Sequence, residues 1–141
     1  MPVLFDTSVY IGAYRGGGDQ SLILQRWARQ TPLWLSAVVL EELYAGAAPS
    51  GHRIFAKLER DFNRAGRVLV PNLSDWANVG GMLSRLGQKY GYEQIGKARL
   101  TCDALIAASA SRTGVLVLTH NTRDFARLAE FCPLQWQVVT N

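Results

Sequence analysis

Short apolar runs alternate along the chain with longer segments in which apolar residues recur at helical spacing. Five of these runs have the length and composition of strands and are followed by capping or turn-forming residues. They predict strands over residues 3–5, 33–35, 68–70, 115–118 and 136–139. Short, continuous apolar runs of this kind are typical of strands that are buried on both faces of a parallel sheet.

The intervals between the strands predict helices. Ile54, Leu58 and Phe62, for example, recur every four residues and mark one face of an amphipathic helix. The predicted helices run from Thr7 or Ser8 to 14, from Asp19 or Ser21 to 28, over 37–47, up to 66, from Ser74 or Asp75 to 90, over 97–112 and over 121–130. Residues 91–96 are expected to form a looser stretch. The alternation predicts a three-layer α/β/α domain with a short, mostly parallel central sheet, and residues 1–141 are expected to form one domain.

The composition narrows the class of protein. The chain has 141 residues, of which 48% are apolar, and this excludes intrinsic disorder. No apolar stretch is long enough to span a bilayer, and the first residues have no basic region typical of a signal peptide. Cys102 and Cys132 match no disulfide framework or metal-binding spacing, so we expect a cytoplasmic protein. The tryptophans stand among apolar residues and are expected in the core: Trp27, Trp34, Trp76 and Trp136.

Four acidic residues fall where chemistry is expected in a sheet of this kind. The functional crevice of an open α/β sheet lies beyond the carboxyl ends of its strands. Asp6 directly follows the first strand, and Glu42 lies in the helix after the second. Asp103 lies in the helix before the fourth strand, and Asp124 opens the helix after it.

Two of these positions have alternatives close by in the sequence. Asp6 is suited to cap a helix, but the adjacent Thr7 and Ser8 can do so equally well, which favours a functional role for Asp6. Glu41 and Glu42 have similar apolar neighbours on a helix, so the residues alone do not choose between them.

Asp103 is the most informative of the four acidic residues. It lies in segment 102–110, which is apolar on nearly every side and therefore predicts a buried helix. An ion pair with Arg99, four residues away, is the structural alternative. Asp124 is less informative by itself, because the run from Asn121 also suits a capped helix start with an acidic residue in its first turn.

The four carboxylates are more informative together than separately. Carboxylates that converge in one crevice repel one another unless they are protonated or bridged by a cation. An all-oxygen set suits Mg²⁺ or Mn²⁺, and such a site activates water and stabilises charge on a phosphodiester. Other chemistries lack their motifs: His52 and His120 have no zinc-ligand spacing, and neither a G-x-S-x-G elbow nor a P-loop is present.

Each acidic residue also stands in a short motif. The motifs are Asp6-Thr7-Ser8, Glu42-Leu43-Tyr44-Ala45-Gly46, Asp103-Ala104-Leu105-Ile106-Ala107-Ala108 and Thr119-His120-Asn121-Thr122-Arg123-Asp124-Phe125. With these motifs in this order over essentially its whole length, the chain resembles PIN-domain proteins, specifically the VapC-type toxins of bacterial toxin–antitoxin pairs. The resemblance implies a PIN-like fold, a Mg²⁺-dependent endoribonuclease, a homodimer, and an antitoxin that inserts a C-terminal segment into the active-site groove.

The resemblance also implies roles for individual residues. Its acidic residue precedes the Leu of an E-L-x-x-G pattern, which implies Glu42 rather than Glu41. Asp6 and Asp103 become the principal metal ligands, and Asp124 a fourth acidic residue that often acts through water. The polar residues expected to line the site are Thr7, Ser8, Thr119 and Asn121.

We therefore expect hydrolysis of RNA by water that attacks the phosphorus in line, leaving a 5′-phosphate and a 3′-hydroxyl. The alternative is a catalytically silent module that binds RNA or protein and whose acidic cluster holds a structural ion. Outside the four acidic positions the chain has fifteen basic residues against seven acidic ones. This basic exterior predicts contacts with RNA phosphates, and binding that weakens as the salt concentration rises.

Overall fold

A computed structural model describes residues 1–16, 18–98 and 100–139; residues 16, 18–21, 97 and 98 are described by their backbone alone. In this part of the chain, short strands alternate with helices as the apolar pattern predicts. The strands are β1 (Val3–Phe5), β2 (Leu33–Ser36), β3 (Val68–Leu69), β4 (Leu116–Thr119) and β5 (Trp136–Val138). The α-helices are α1 (Thr7–Gly16), α2 (Gly18–Gln30), α3 (Ala37–Gly46), α4 (His52–Arg64), α5 (Leu73–Tyr90), α6 (Tyr92–Ala98), α7 (Thr101–Thr113) and α8 (Thr122–Ala129).

The five strands form one sheet in the order β3-β2-β1-β4-β5, and every neighbouring pair is parallel. β1 lies at the centre, where Leu4 is opposite Trp34 on one side and Val117 on the other. All three residues of β1 are buried, as expected for a strand with helices on both faces. The three-layer α/β/α fold with a parallel central sheet is thus confirmed.

The carboxyl ends of the central strands carry buried polar residues. Asp6 follows β1, Ser36 ends β2 and Thr119 ends β4. Ser36 caps α3, because its Oγ accepts hydrogen bonds from the amides of Val38 and Val39 at 3.2 and 3.5 Å. Since parallel strands end at the same edge of a sheet, this arrangement brings side chains from separate elements into one crevice.

Residues 92–96 are helical, so the looser stretch that the sequence predicts over residues 91–96 is wrong for all of them except Gly91. α5 stops at Gly91, whose φ of +96° favours glycine, and α6 begins at the next residue. The side chain of Ile95 is buried in the hydrophobic core, so this part of the chain is anchored as a helix. The predicted helix over residues 97–112 correspondingly begins later, at Thr101.

The prediction that all four tryptophans lie in the core is wrong for Trp76, which is 55% exposed. The buried face of α5 passes through Asp75, Val79, Met82 and Leu86, and this turns the adjacent Trp76 away from the core. The other three tryptophans are partly buried and pack against the core. Among the helices described, none has both the length and the apolar character needed to cross a membrane.

Candidate active site

Asp6 lies at the centre of the polar edge of the sheet. Its amide donates to the carbonyl of Leu118 at 3.0 Å, which ties it to β4. Its side chain is 2% exposed and accepts hydrogen bonds from Ser8 Oγ at 2.5 Å and from Thr119 Oγ1 at 2.7 Å. Burial raises the pKa of Asp6, and the two hydroxyl donors partly offset that rise. The hydroxyl of Ser8, which the sequence suggests as a helix cap, thus holds the Asp6 carboxylate.

The structure distinguishes Glu42 from Glu41. Glu41 is exposed, whereas Glu42 is half-buried and accepts a hydrogen bond on Oε1 from Thr7 Oγ1 at 2.7 Å. This bond joins the start of α1 to α3. Burial raises the pKa of Glu42, the hydrogen bond from Thr7 lowers it, and the negative charges of Glu41 and Asp6 raise it further. Glu42 is therefore the glutamate that faces the crevice.

Asn121 links Asp103 and Asp124. Its Nδ2 donates to Asp124 Oδ2 at 2.9 Å and to Asp103 Oδ2 at 3.5 Å. Its Oδ1 caps α8 by accepting a hydrogen bond from the amide of Asp124 at 3.5 Å. The amide of Asn121 in turn donates to Thr119 Oγ1 at 2.8 Å. One hydrogen-bond network therefore reaches from Asp124 and Asp103 through Thr119 to Asp6.

The four carboxylates form one electrostatic cluster. Burial disfavours the charged form of Asp103, and the negative charges of Asp6, Glu42 and Asp124 disfavour it further, which together raise its pKa to about 7. The structure thus brings together the four acidic residues that the sequence singles out. Arg99, the alternative partner of Asp103, lies outside the described residues.

Within the described ranges, no group of three or more His, Cys, Asp or Glu side chains is placed to hold a metal ion. The donor chemistry nevertheless fits a hard divalent cation, because the cluster offers only oxygen ligands and a strongly negative potential. Mg²⁺ usually keeps several waters and binds through one or two carboxylates and the phosphates of its substrate.

His120 is a residue of this site that the sequence reasoning does not assign. Its amide donates to Ser8 Oγ at 3.1 Å, and its ring Nδ1 lies 3.0 Å from the carbonyl oxygen of Val139. The charge of His120 also lowers the pKa of Asp6. The available signal is its position, directly after a strand that ends at the polar edge and between Thr119 and Asn121.

Replacing Asp103 by asparagine is expected to stabilise the fold at pH 8, in the presence of a chelator, by about 4 kcal/mol. The folded-state pKa of about 7 lies above the ordinary value of 3.8, so the folded chain holds a proton that the unfolded chain releases. The resulting penalty on folding is absent below pH 3.8, grows as the pH rises to 7 and is complete above it. Urea unfolding of both proteins at pH 4 and pH 8 measures it. A gain that is the same at both pH values contradicts the raised pKa of Asp103.

Comparison with known proteins begins with the sequence. A family model described as the PIN domain matches residues 3–131, a range that contains all four acidic residues. A comparison with curated protein sequences finds no match.

Solved structures share the fold over nearly the whole chain. A VapBC structure from Salmonella typhimurium, bound to DNA, matches with a TM-score of 0.70, 22% identity and 98% of each chain covered. VapBC2 from Rickettsia felis, bound to a fragment of promoter DNA, matches with a TM-score of 0.68 and 20% identity over 99% of this chain and 100% of that one. VapBC-1 from nontypeable Haemophilus influenzae has a TM-score of 0.65 and 24% identity, with 98% of each chain covered. At these identities the likeness shows the fold.

Proposed function

Because the chain belongs to the PIN domain family, we propose that it is a Mg²⁺- or Mn²⁺-dependent endoribonuclease and the toxin of a VapBC-type toxin–antitoxin pair. The observation that carries this proposal is the convergence of four carboxylates at the carboxyl edge of the central strands. Charge of one sign that is gathered and partly buried in a crevice is typical of functional sites, because folding alone gains nothing from it.

The four carboxylates have distinct roles in this proposal. Asp6, Glu42 and Asp103 hold the cation, and Asp124 completes the acidic pocket and orients water. A bound cation neutralises the cluster, lowers the pKa of water and stabilises charge on the phosphate. The products are a 5′-phosphate and a 3′-hydroxyl, since water rather than the 2′-hydroxyl of the RNA is the nucleophile.

The polar neighbours orient these carboxylates. Ser8 and Thr119 each donate to a different oxygen of Asp6, and Thr7 donates to one oxygen of Glu42. A carboxylate oxygen has more than one lone pair, so each of these oxygens retains acceptor capacity for a cation or water. The hydroxyl groups therefore fix the orientation of the carboxylates and leave their remaining lone pairs for a cation or water.

The proposed partners follow from the family and from charge. Three structures of similar fold are of VapBC pairs, and we propose by analogy that a cognate antitoxin blocks this site and that the chain forms a homodimer in the cytoplasm. An arginine of the antitoxin suits the carboxylate cluster, because its planar guanidinium pairs with carboxylates through two hydrogen bonds. The basic exterior suits RNA as the substrate.

Chelation tests the proposed activity directly. Purified protein is expected to cleave RNA in the presence of Mg²⁺ or Mn²⁺. EDTA is expected to stop this cleavage, and an excess of the metal ion is expected to restore it. End-labelling shows whether the new ends are a 5′-phosphate and a 3′-hydroxyl. Cleavage that persists in EDTA contradicts metal dependence. If the protein binds RNA in the presence of the metal ion but the RNA stays intact, the result favours the catalytically silent binding module.

A further inference from the structure

A pocket of about 310 Å³ opens beside Glu42, between α1, α3 and α4. Most of its wall is apolar and includes Ile11, Leu43, Ile54 and Phe55. The volume lies at the lower end of the range of roughly 300–1,000 Å³ that is typical of small-molecule sites. Because Glu42 belongs both to this wall and to the carboxylate cluster, the pocket adjoins the proposed active site.

One wall of the pocket offers an exposed aromatic ring. Tyr14 is 42% exposed and makes an edge-on contact with Phe55, with ring centroids 5.4 Å apart and planes at 83°. Phe55 is buried and makes a second edge-on contact with Tyr44. The exposed ring is therefore held by a buried aromatic neighbour, while Ile54, 47% exposed, contributes a second apolar surface. Exposed aromatic rings are the surfaces on which proteins stack the bases of single-stranded nucleic acid.

The charges around the pocket match a nucleotide better than a wholly apolar ligand. Arg15 lines the same pocket, is exposed, and makes no ion pair with any residue that the structure describes. The pocket therefore combines an apolar wall with the positive charge of Arg15, and it lies beside the proposed site of phosphodiester cleavage. An RNA nucleotide combines the complementary parts, because its base presents flat faces that stack on aromatic and apolar side chains and its phosphate is an anion.

We propose that this pocket holds the base of an RNA nucleotide that neighbours the scissile phosphodiester, and that it thereby sets the sequence preference of cleavage. The inference rests on the proposed function and deepens it, since it assigns base recognition to a surface beside the acidic residues. Arg15 contacts the phosphate of the same nucleotide, and Tyr14 and Ile54 contact the base.

Gly46 provides the test. It lines the pocket at the end of α3, and a Cβ atom added there meets no atom within 4 Å, so a side chain can start at this position without a clash at its Cβ atom. Because Gly46 lines the pocket, Gly46→Leu is expected to fill part of it. Gly80→Leu is the matched control, because Gly80 is also helical, exposed and without atoms near an added Cβ, but lies on α5, which is not part of this pocket.

The measurement is the base frequency around the cut sites when a random-sequence RNA is cleaved in Mg²⁺ or Mn²⁺. Wild type is expected to prefer particular bases at one position next to the cut, and Gly46→Leu is expected to weaken that preference about tenfold. Gly80→Leu is expected to give the wild-type profile. Ile54→Ala, which enlarges the pocket at a half-exposed position, is expected to change the preference at the same position and provides a second test if Gly46→Leu does not fold.

The outcomes separate this inference from the proposed function. Wild-type protein that cleaves no RNA overturns both. If the wild-type protein cleaves RNA and folded Gly46→Leu and Ile54→Ala give the same base profile, the base pocket is overturned but the proposed function is not. The pocket is then a surface for a protein segment. A profile altered equally by Gly80→Leu also overturns the base pocket.

Discussion

Replacing Glu42 by glutamine is expected to lower kcat/KM for RNA cleavage by about 100-fold or more. Glutamine keeps the size of the side chain and an oxygen that can accept the hydrogen bond from Thr7, so the local fold is retained. What is lost is one negative charge of the proposed cation site. Initial rates on a labelled RNA, with folding checked by circular dichroism, measure the loss.

Glu41→Gln is the matched control. It removes the same charge from the adjacent residue of the same helix, but Glu41 is exposed to solvent. Removing an acidic residue weakens repulsion of RNA phosphates, so charge alone predicts tighter binding for both variants. We expect Glu41→Gln to cleave at a rate within about twofold of wild type, as is usual for an exposed side chain away from the chemistry. Equal losses from the two substitutions contradict the assignment of Glu42.

Replacing Asp75 by alanine is expected to lower the free energy of unfolding by about 2–3 kcal/mol. Asp75 is fully buried at the start of α5, where it forms a capping box with Asn72. It also accepts hydrogen bonds from Arg112 of α7, from Nε at 3.0 Å and from Nη2 at 2.9 Å. The variant loses both interactions, but Arg112 is 37% exposed and regains water, so the loss is smaller than for a fully buried pair.

The effect of Asp75→Ala is expected to depend on pH. Burial tends to raise the pKa of Asp75, but the hydrogen bonds from Arg112 and Asn72 and the charge of Arg112 outweigh burial and lower the pKa overall. A carboxyl group with a lowered folded-state pKa stabilises the fold above the ordinary value, and this contribution is lost as the pH falls through the folded-state value. Urea unfolding is therefore expected to show the full difference at pH 7 and a smaller one below about pH 4.

Asp61→Ala provides the comparison for this prediction. Asp61 pairs with Lys57 at 2.9 Å, but both side chains are more than half exposed. Such pairs contribute little to stability because water and salt screen them. We expect its free energy of unfolding at pH 7 to match that of wild type within error. A loss as large as that of Asp75→Ala contradicts a special role for the pair between α5 and α7.

The sequence predicts the order of strands and helices because each strand is a short run made mostly of apolar residues. The acidic residue Asp6 directly follows β1, and Ser36, which caps α3, ends β2. The starts of helices and the polar ends of strands can therefore be located from the sequence alone. The sequence predicts residues 91–96 poorly, because the burial of Ile95 in the core is decided by tertiary packing and not by a periodic apolar pattern. For Trp76 the sequence predicts burial that the structure does not show. The apolar character of this residue does not reveal which face of α5 is buried.

The candidate site divides in the same way. The sequence alone places the four acidic residues beyond strand ends or in the adjoining helices, because the order of the elements and the spacing of apolar residues fix these positions. They are Asp6, Glu42, Asp103 and Asp124. The choice of Glu42 over Glu41 on physical grounds, and the hydrogen bonds of Thr7 to Glu42 and of His120 to Ser8, arise only in the folded chain.

The sequence by itself therefore determined the layer architecture and the acidic chemistry, because both follow from periodic apolar residues and from which residue types stand next to strand ends. The tertiary structure alone decided the network from Asn121 through Thr119 to Asp6, the pair between buried Asp75 and Arg112, and the pocket beside Glu42. These features join residues that are distant in the chain. Their distances are set by the packing of helices on the sheet, which no local pattern records.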